Sequence, residues 1–369
     1  MSVGDKIPLG MPWKFQLTDS VYMDDYVTGT HPPQYCAVTK TYKRFYLPVT
    51  YSIVFLLGLT LNGSLLWLVF SRTRKWSCSV VYMVNLAVAD LLYVLALPLL
   101  IVSYAMDDVW PFGDIICKTV RFFFYTNLHC GMMFLMCISV HRFIGVCFPI
   151  KAMRYRTKKM AVMASGAIWV LVTVEILPTL AFAHTGFINN MTVCFDMTSP
   201  GKFQQYFPYG LFLAIAGFLL PFLVILISNC TMVRILSRQQ SDGSPAGTAM
   251  RNKSVRTLLM VSLIFVVCFG PYHITRTLYL FVRVYMASNC KVLNVVMFSY
   301  KMWRPIVSVH CCVNPLLYFI GSDKKRKLIW SLLCRKRVHP TVWTVQPQVQ
   351  AGKSEPRDGA GNKSSSKEG

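Results

Sequence analysis

The stretch Ile115–Phe148, IICKTVRFFFYTNLHCGMMFLMCISVHRFIGVCF, decides the fold. As a helix it exceeds the ~20 residues that cross a hydrocarbon core, so it must project beyond the bilayer. Six further apolar runs flank it: Tyr46–Phe70, Val80–Val102, Met160–Phe182, Phe207–Ile235, Val255–Val282 and Val292–Ile320. A membrane barrel would show alternating segments about half as long. The spacing therefore predicts an all-α membrane protein, a bundle of seven transmembrane helices with its termini on opposite sides.

Composition agrees. Of 369 residues, 54% are hydrophobic and only 14% charged, against roughly a quarter charged in a soluble domain. The net charge is +23, yet a nucleic-acid binder of that charge would not be this apolar. No nucleic-acid partner is expected.

The cations fix the orientation. Arg72, Arg74 and Lys75 follow the first run, and Lys151, Arg154, Arg156, Lys158 and Lys159 the third. Arg234, Arg238, Arg251, Lys253 and Arg256 lie around the loop between runs five and six. Lys324, Lys325, Arg326, Lys327, Arg335, Lys336 and Arg337 follow the seventh. Only Asp242 and Asp323 oppose these twenty, which makes that face cytoplasmic and the N-terminus extracellular. It would face anionic membrane lipid. Met1–Lys14 lacks the apolar core of a signal peptide, so the first span is expected to direct insertion.

The expected organisation is an irregular extracellular tail (1–45), the bundle (46–320), a short juxtamembrane amphipathic helix (321–334) and a disordered cytoplasmic tail (335–369). Ser354 and Ser364–Ser366 offer phosphate acceptors through which arrestin would bind. Cys334 ends the basic amphipathic stretch and suits palmitoylation. Among the sequons only Asn190 falls in an extracellular loop, where a glycan can be added. Four cysteines lie on the extracellular side, allowing three pairings. Cys117 with Cys194 would pin a loop over the bundle, and Cys36 with Cys290 would tie down the tail.

Buried polar residues and helix breakers recur along the runs: Asn62, Asp90 in NLAVADLL, Trp169, Pro221, CFGPYH (Cys268–His273), NPLLY (Asn314–Tyr318) and SVHRF (Ser139–Phe143). Ionisable groups in lipid are costly and usually functional. The set, in this order, resembles the rhodopsin-like G-protein-coupled receptors from about Tyr42 to Cys334. WPFGDIICKTVRFFFYTNLH (Trp110–His129), PYHITRTLY (Pro271–Tyr279) and KMWRP (Lys301–Pro305) are similar to the metabotropic nucleotide (purinergic) receptors, nearest the uridine-nucleotide subgroup.

The resemblance implies a heterotrimeric G protein as partner, of the phospholipase-C-coupled class, and an activation switch of Asp90, Arg142, Phe269, Pro271, Asn314, Pro315 and Tyr318. His141 stands where most relatives outside the group carry an acid, so the resting lock on Arg142 is absent. Asn229 replaces a usual tyrosine. Asp90, Asn127 and Asn314 offer oxygens for a sodium ion, although Gly131 replaces a usual hydroxyl and His310 lies nearby. No other cofactor is expected.

Cations also lie toward the extracellular ends of the helices. Arg121 sits a turn above Tyr125. His273 and Arg276 share a face of span six, and Lys301 and Arg304 a face of span seven. At roughly 5–20 Å below the helix ends they must point inward. Those spans hold no neighbouring acid; Asp107, Asp108, Asp114 and Asp196 lie higher, in loops or at a helix end. Salt bridges to these loop acids are the alternative reading. The spacing otherwise fits a polyanion such as a nucleotide phosphate chain, with Phe124 and Tyr125 as a wall for base or ribose.

A carboxylate metabolite or lysophospholipid would need fewer cations. A retinal pump would need a lysine within Ile306–Cys312, which has none, and transporter repeats are not evident. No nucleophile–base motif or metal spacing suggests an enzyme.

Overall fold

A computed structural model describes residues 18–21, 36–39, 41–73, 76–148, 150, 152, 156–188, 191–238 and 260–320. Six helical spans are long and apolar enough to cross a membrane: Arg44–Arg72, Cys78–Ala105, Gly113–Cys147, Lys158–Phe182, Pro200–Leu236 and Met260–Tyr285. The seventh span comprises Cys290–Ser308 and His310–Ile320. Its inward cations lower its hydropathy without changing its place in the bundle. Span three has 35 residues, about 50 Å at 1.5 Å per residue, and so overreaches a ~30 Å hydrocarbon core.

The faces are inverted relative to a soluble bundle. Leu56, Trp67, Val170, Leu220, Ile227, Val266 and Ile274 are exposed, while Asn62, Asp90, Asn127, His129, Glu175, His310 and Asn314 are buried. Apolar side chains facing lipid cost nothing, whereas polar ones must find partners inside. Asn62 Nδ2 donates to the carbonyls of Gly58 and Cys311 at 2.9 and 2.8 Å, and Trp169 Nε1 to Asn85 Oδ1 at 2.9 Å. Asn229 Nδ2 donates to Ser262 Oγ at 3.0 Å, joining spans five and six.

Two short hairpins lie outside the spans. β1 (Thr18–Val21) pairs antiparallel with β2 (Cys36–Thr39), so the tail expected to be irregular contains a regular element. β3 (Thr185–Ile188) pairs antiparallel with β4 (Met191–Cys194) in the loop after span four.

Spans five and six each widen into a π-helical turn, at Leu213–Leu219 and Phe265–Phe269, just before Pro221 and Pro271. Proline lacks the N–H that an α-helical turn needs, and a π-turn absorbs the mismatch. Gly217 lies in the first of these turns because a Cβ there would collide with His129 and Glu175.

The Asn190 glycan site, Cys334, the juxtamembrane helix and the phosphoacceptor tail lie outside the described residues. So do most of the cations expected on the cytoplasmic face.

Candidate functional site

The Cys117–Cys194 disulfide joins the start of span three to the end of β4. Trp110 N–H donates to the Thr192 carbonyl at 2.8 Å, and the Asp114 carboxylate accepts from Thr185 N–H at 2.8 Å. These bonds hold the β3–β4 hairpin against span three and bring Phe195 and Asp196 in among the helices. Cys290 is also disulfide-bonded; the side chain of Cys36, its expected partner, is outside the described residues.

Asp196 realises the alternative reading, a salt bridge from a loop acid, and corrects the expectation that this acid lies above the buried cations. Its side chain is only 11% exposed and lies between spans three and seven. Oδ1 is 2.8 Å from Arg304 Nη2 and 3.6 Å from Arg121 Nη1. Oδ2 lies 3.5 Å from Lys301 Nζ and accepts from Tyr300 O–H at 2.5 Å. Sequence spacing missed this because depth was counted along helices, whereas the loop descends under disulfide control.

Arg121 also binds the loop backbone. Its Nη2 and Nε donate to the carbonyls of Cys194 and Phe195 at 2.8 and 3.1 Å. Arg304 Nη1 donates to Tyr104 O–H at 3.0 Å, and its guanidinium lies 5.1 Å from the Phe124 ring centre. Burial alone would push the Asp196 carboxyl up. Arg304, Lys301 and Arg121 outweigh that and hold it well below the usual carboxylate range.

Arg276 is different. It is 1% exposed, and Nη2 donates to Tyr206 O–H at 2.7 Å while Nη1 donates to the Gly210 carbonyl at 3.3 Å. The ring of Tyr125 lies 5.5 Å away. Arg276 Nε and Tyr272 O–H are buried without a hydrogen-bond partner among the described residues.

His273 does not join this group. Its ring stacks on Phe218 at 4.5 Å, deeper in the bundle and 6.4 Å from the His129 ring. Tyr104, Tyr206 and Tyr300, by contrast, carry hydrogen bonds to the cluster that spacing did not single out. Aromatic residues are so frequent in these spans that only their partners mark them.

Above the cluster is an open cavity whose lining includes Arg121, Asp196, Tyr279, Arg283, Tyr300 and Lys301. Tyr279 and Tyr300 stack in parallel on one wall, with centroids 5.4 Å apart. Across the site three cations share one carboxylate, and a fourth, Arg276, has only neutral partners among the described residues. The site therefore carries more positive than negative charge.

A family model described as 7 transmembrane receptor (rhodopsin family) matches residues 61–318. Purinoceptor 3 of Gallus gallus is 42% identical over 293 residues, 79% of this chain and 89% of that one. Purinoceptor 6 of Rattus norvegicus is 41% identical over 82% of this chain and 92% of its own. Purinoceptor 4 of Homo sapiens is 42% identical over 80% of each. This chain belongs to the purinoceptor family of rhodopsin-like receptors. It is a multi-pass membrane receptor, not an enzyme.

At the opposite end of this purinoceptor bundle, His141 Nε2 accepts from Arg156 Nε at 3.1 Å. The residue beside Arg142 thus engages another cation's N–H instead of bracing Arg142 as an acid would. Tyr318 O–H is 3.2 Å from Thr73 Oγ1, joining spans seven and one. Phe269, just before Pro271, packs its ring 4.8 Å from His310.

The polar groups around Asp90 suit a softer cation better than sodium. Asn127 Nδ2 and Asn314 Nδ2 donate to its carboxylate at 2.8 and 3.0 Å, so both amides turn N–H groups, not oxygens, toward it. The other polar atoms of the cluster are His310 Nε2, Cys311 Sγ and the Asn127 Oδ1 that accepts from the thiol, a set that mixes nitrogen and sulfur with the oxygens that hard cations take.

Proposed function

We propose that this purinoceptor-family chain is a cell-surface receptor for extracellular nucleotides, the di- or triphosphates of uridine or adenosine. One observation carries the reading: Arg121, Lys301 and Arg304 converge on the single Asp196 carboxylate, with Arg276 nearby on neutral partners. The excess positive charge matches a polyphosphate. The names of the relatives agree.

A phosphate chain entering the cavity would compete with Asp196 for Arg304 and Lys301 and reach Arg276. Closing spans three, six and seven around it would favour one conformation of the bundle, which is how a ligand shifts an equilibrium. Pro271 and Pro315 give spans six and seven places to pivot. Opening at the Arg142 end would admit a heterotrimeric G protein, of the phospholipase-C-coupled class, raising calcium. By the positive-inside rule the basic loops would lie in the cytoplasm and the N-terminus outside. Arrestin would engage the phosphorylated tail.

A carboxylate metabolite or lysophospholipid is the second reading. A lone carboxylate brings no more charge than Asp196, which is tethered in place, so it would compete poorly. Calcium release in cells expressing the chain, tested across the four nucleotides and a carboxylate panel, separates the two. Silence to every nucleotide despite surface expression would refute the nucleotide reading.

A further inference from the structure

We infer that Asp90, His310 and Cys311 form a buried site for a borderline-soft divalent cation, zinc foremost, bridging spans two and seven. One atom from each residue, a carboxylate oxygen, an imidazole nitrogen and a sulfur, lies within 4.8 Å of the others. His310 Nε2 is 3.8 Å from Asp90 Oδ1 and 3.8 Å from Cys311 Sγ. Ligands of a tetrahedral zinc, at ~2.0 Å for N and O and ~2.3 Å for S, stand roughly 3.3–3.6 Å apart. His310 Nε2 is thus within about half an ångström of ligand spacing from each partner, and Asp90 and Cys311, within 4.8 Å of each other, would close the rest on the ion.

The surroundings orient the ligands. His310 Nδ1 lies 2.5 Å from the Val307 carbonyl, so Nδ1 carries the proton and Nε2 presents its lone pair to Asp90 and Cys311. Metal-binding histidines are commonly fixed this way, by a carbonyl on the other nitrogen. Gly131 leaves space for the ring, since a Cβ there would lie 3.3 Å from Nε2. Cys311 Sγ donates to Asn127 Oδ1 at 3.3 Å, and that amide oxygen is a candidate fourth ligand.

Charge also balances. A zinc ion takes the Cys311 thiolate and the Asp90 carboxylate, one proton leaves the thiol, and the buried site becomes neutral. Sulfur and imidazole favour zinc over sodium or magnesium. The ion would fasten Asp90 to the turn just before Asn314-Pro315, the segment through which span seven bends.

The test uses the full-length receptor in nanodiscs, equilibrated with buffered micromolar zinc and then washed. Wild type should retain one more zinc per receptor than Cys311→Ser or His310→Gln, measured by mass spectrometry of the metal. Cobalt in place of zinc should give a near-ultraviolet sulfur-to-metal band that Cys311→Ser loses. Equal metal retention in wild type and Cys311→Ser, or a band that persists in the variant, would overturn the site. A measurement on wild type alone guards against misfolded variants. Zinc should raise its unfolding midpoint by a few degrees where sodium at matched ionic strength does not, and no zinc-specific shift would also overturn the site.

Discussion

Arg304 of span seven and Asp196 of the loop after β4 meet at 2.8 Å in a setting where the arginine is 1% exposed. The pair links the disulfide-pinned hairpin to the helix that continues into Asn314-Pro315. The loop is therefore part of the bundle's interior, and whatever displaces its carboxylate acts on span seven directly.

Replacing Asp196 by Asn leaves Arg304 and Arg121 buried with no anion among the described residues. Breaking a buried pair on one side costs about 3–5 kcal/mol. The unfolding midpoint of the purified receptor should fall accordingly. A saturating triphosphate should recover more of the midpoint in Asp196→Asn than it adds to wild type, because phosphate supplies the missing charge. Equal ligand shifts would show that the phosphate binds elsewhere.

Arg276→Ala and Arg304→Ala should each weaken a nucleotide agonist by about 1.5–3 kcal/mol, roughly 10- to 150-fold. They should differ in stability. Arg304→Ala deprives Asp196 of its nearest cation, whereas Arg276→Ala leaves no acid unpaired among the described residues. Dose–response curves and unfolding midpoints measured on both variants check the two halves of this expectation.

The stability contributed by Asp196 should be insensitive to mild acid. A carboxyl held low in the folded state stabilises fully above the unfolded value of about 4 and loses its contribution only as pH falls through the native value. The midpoint difference between wild type and Asp196→Asn should stay flat from about pH 7 to about pH 5 and shrink only below about 4. A difference that faded near neutrality would mean that another group controls the clamp.

Gly217→Ala should destabilise the receptor by about 1–3 kcal/mol, the usual cost of overpacking, because the new methyl meets His129 and Glu175. Those two side chains pair at 3.2 Å, both nearly fully buried. Glu175→Gln should relieve nothing, since the glutamine keeps the same bulk. Thermal unfolding of the single and double variants reads this out; rescue by Glu175→Gln would place the strain in charge, not volume.

The helices were legible because each apolar run is long, and the cations because lipid forbids them to face outward. Arg121, Lys301 and Arg304 converge as their helical spacing requires. That Asp196, of the four loop acids, is the one they meet was not legible, since nothing local in CFDM (Cys194–Met197) reports how far a loop descends between helices. His273 was misplaced for a related reason. Sharing a face with Arg276 fixes direction but not depth, and one turn carries His273 down to Phe218. Glu175, without a role in the sequence, gains one from His129 on a neighbouring helix.

The central claim is that the cation cluster recognises a phosphate chain. Equilibrium competition binding on the purified wild-type receptor tests it most directly, comparing uridine and adenosine with their mono-, di- and triphosphates. Affinity should rise with phosphate number, be negligible for the nucleosides, and lose that dependence in Arg276→Ala/Arg304→Ala. Nucleosides binding as tightly as triphosphates, or a phosphate dependence that survives in the double variant, would contradict the account.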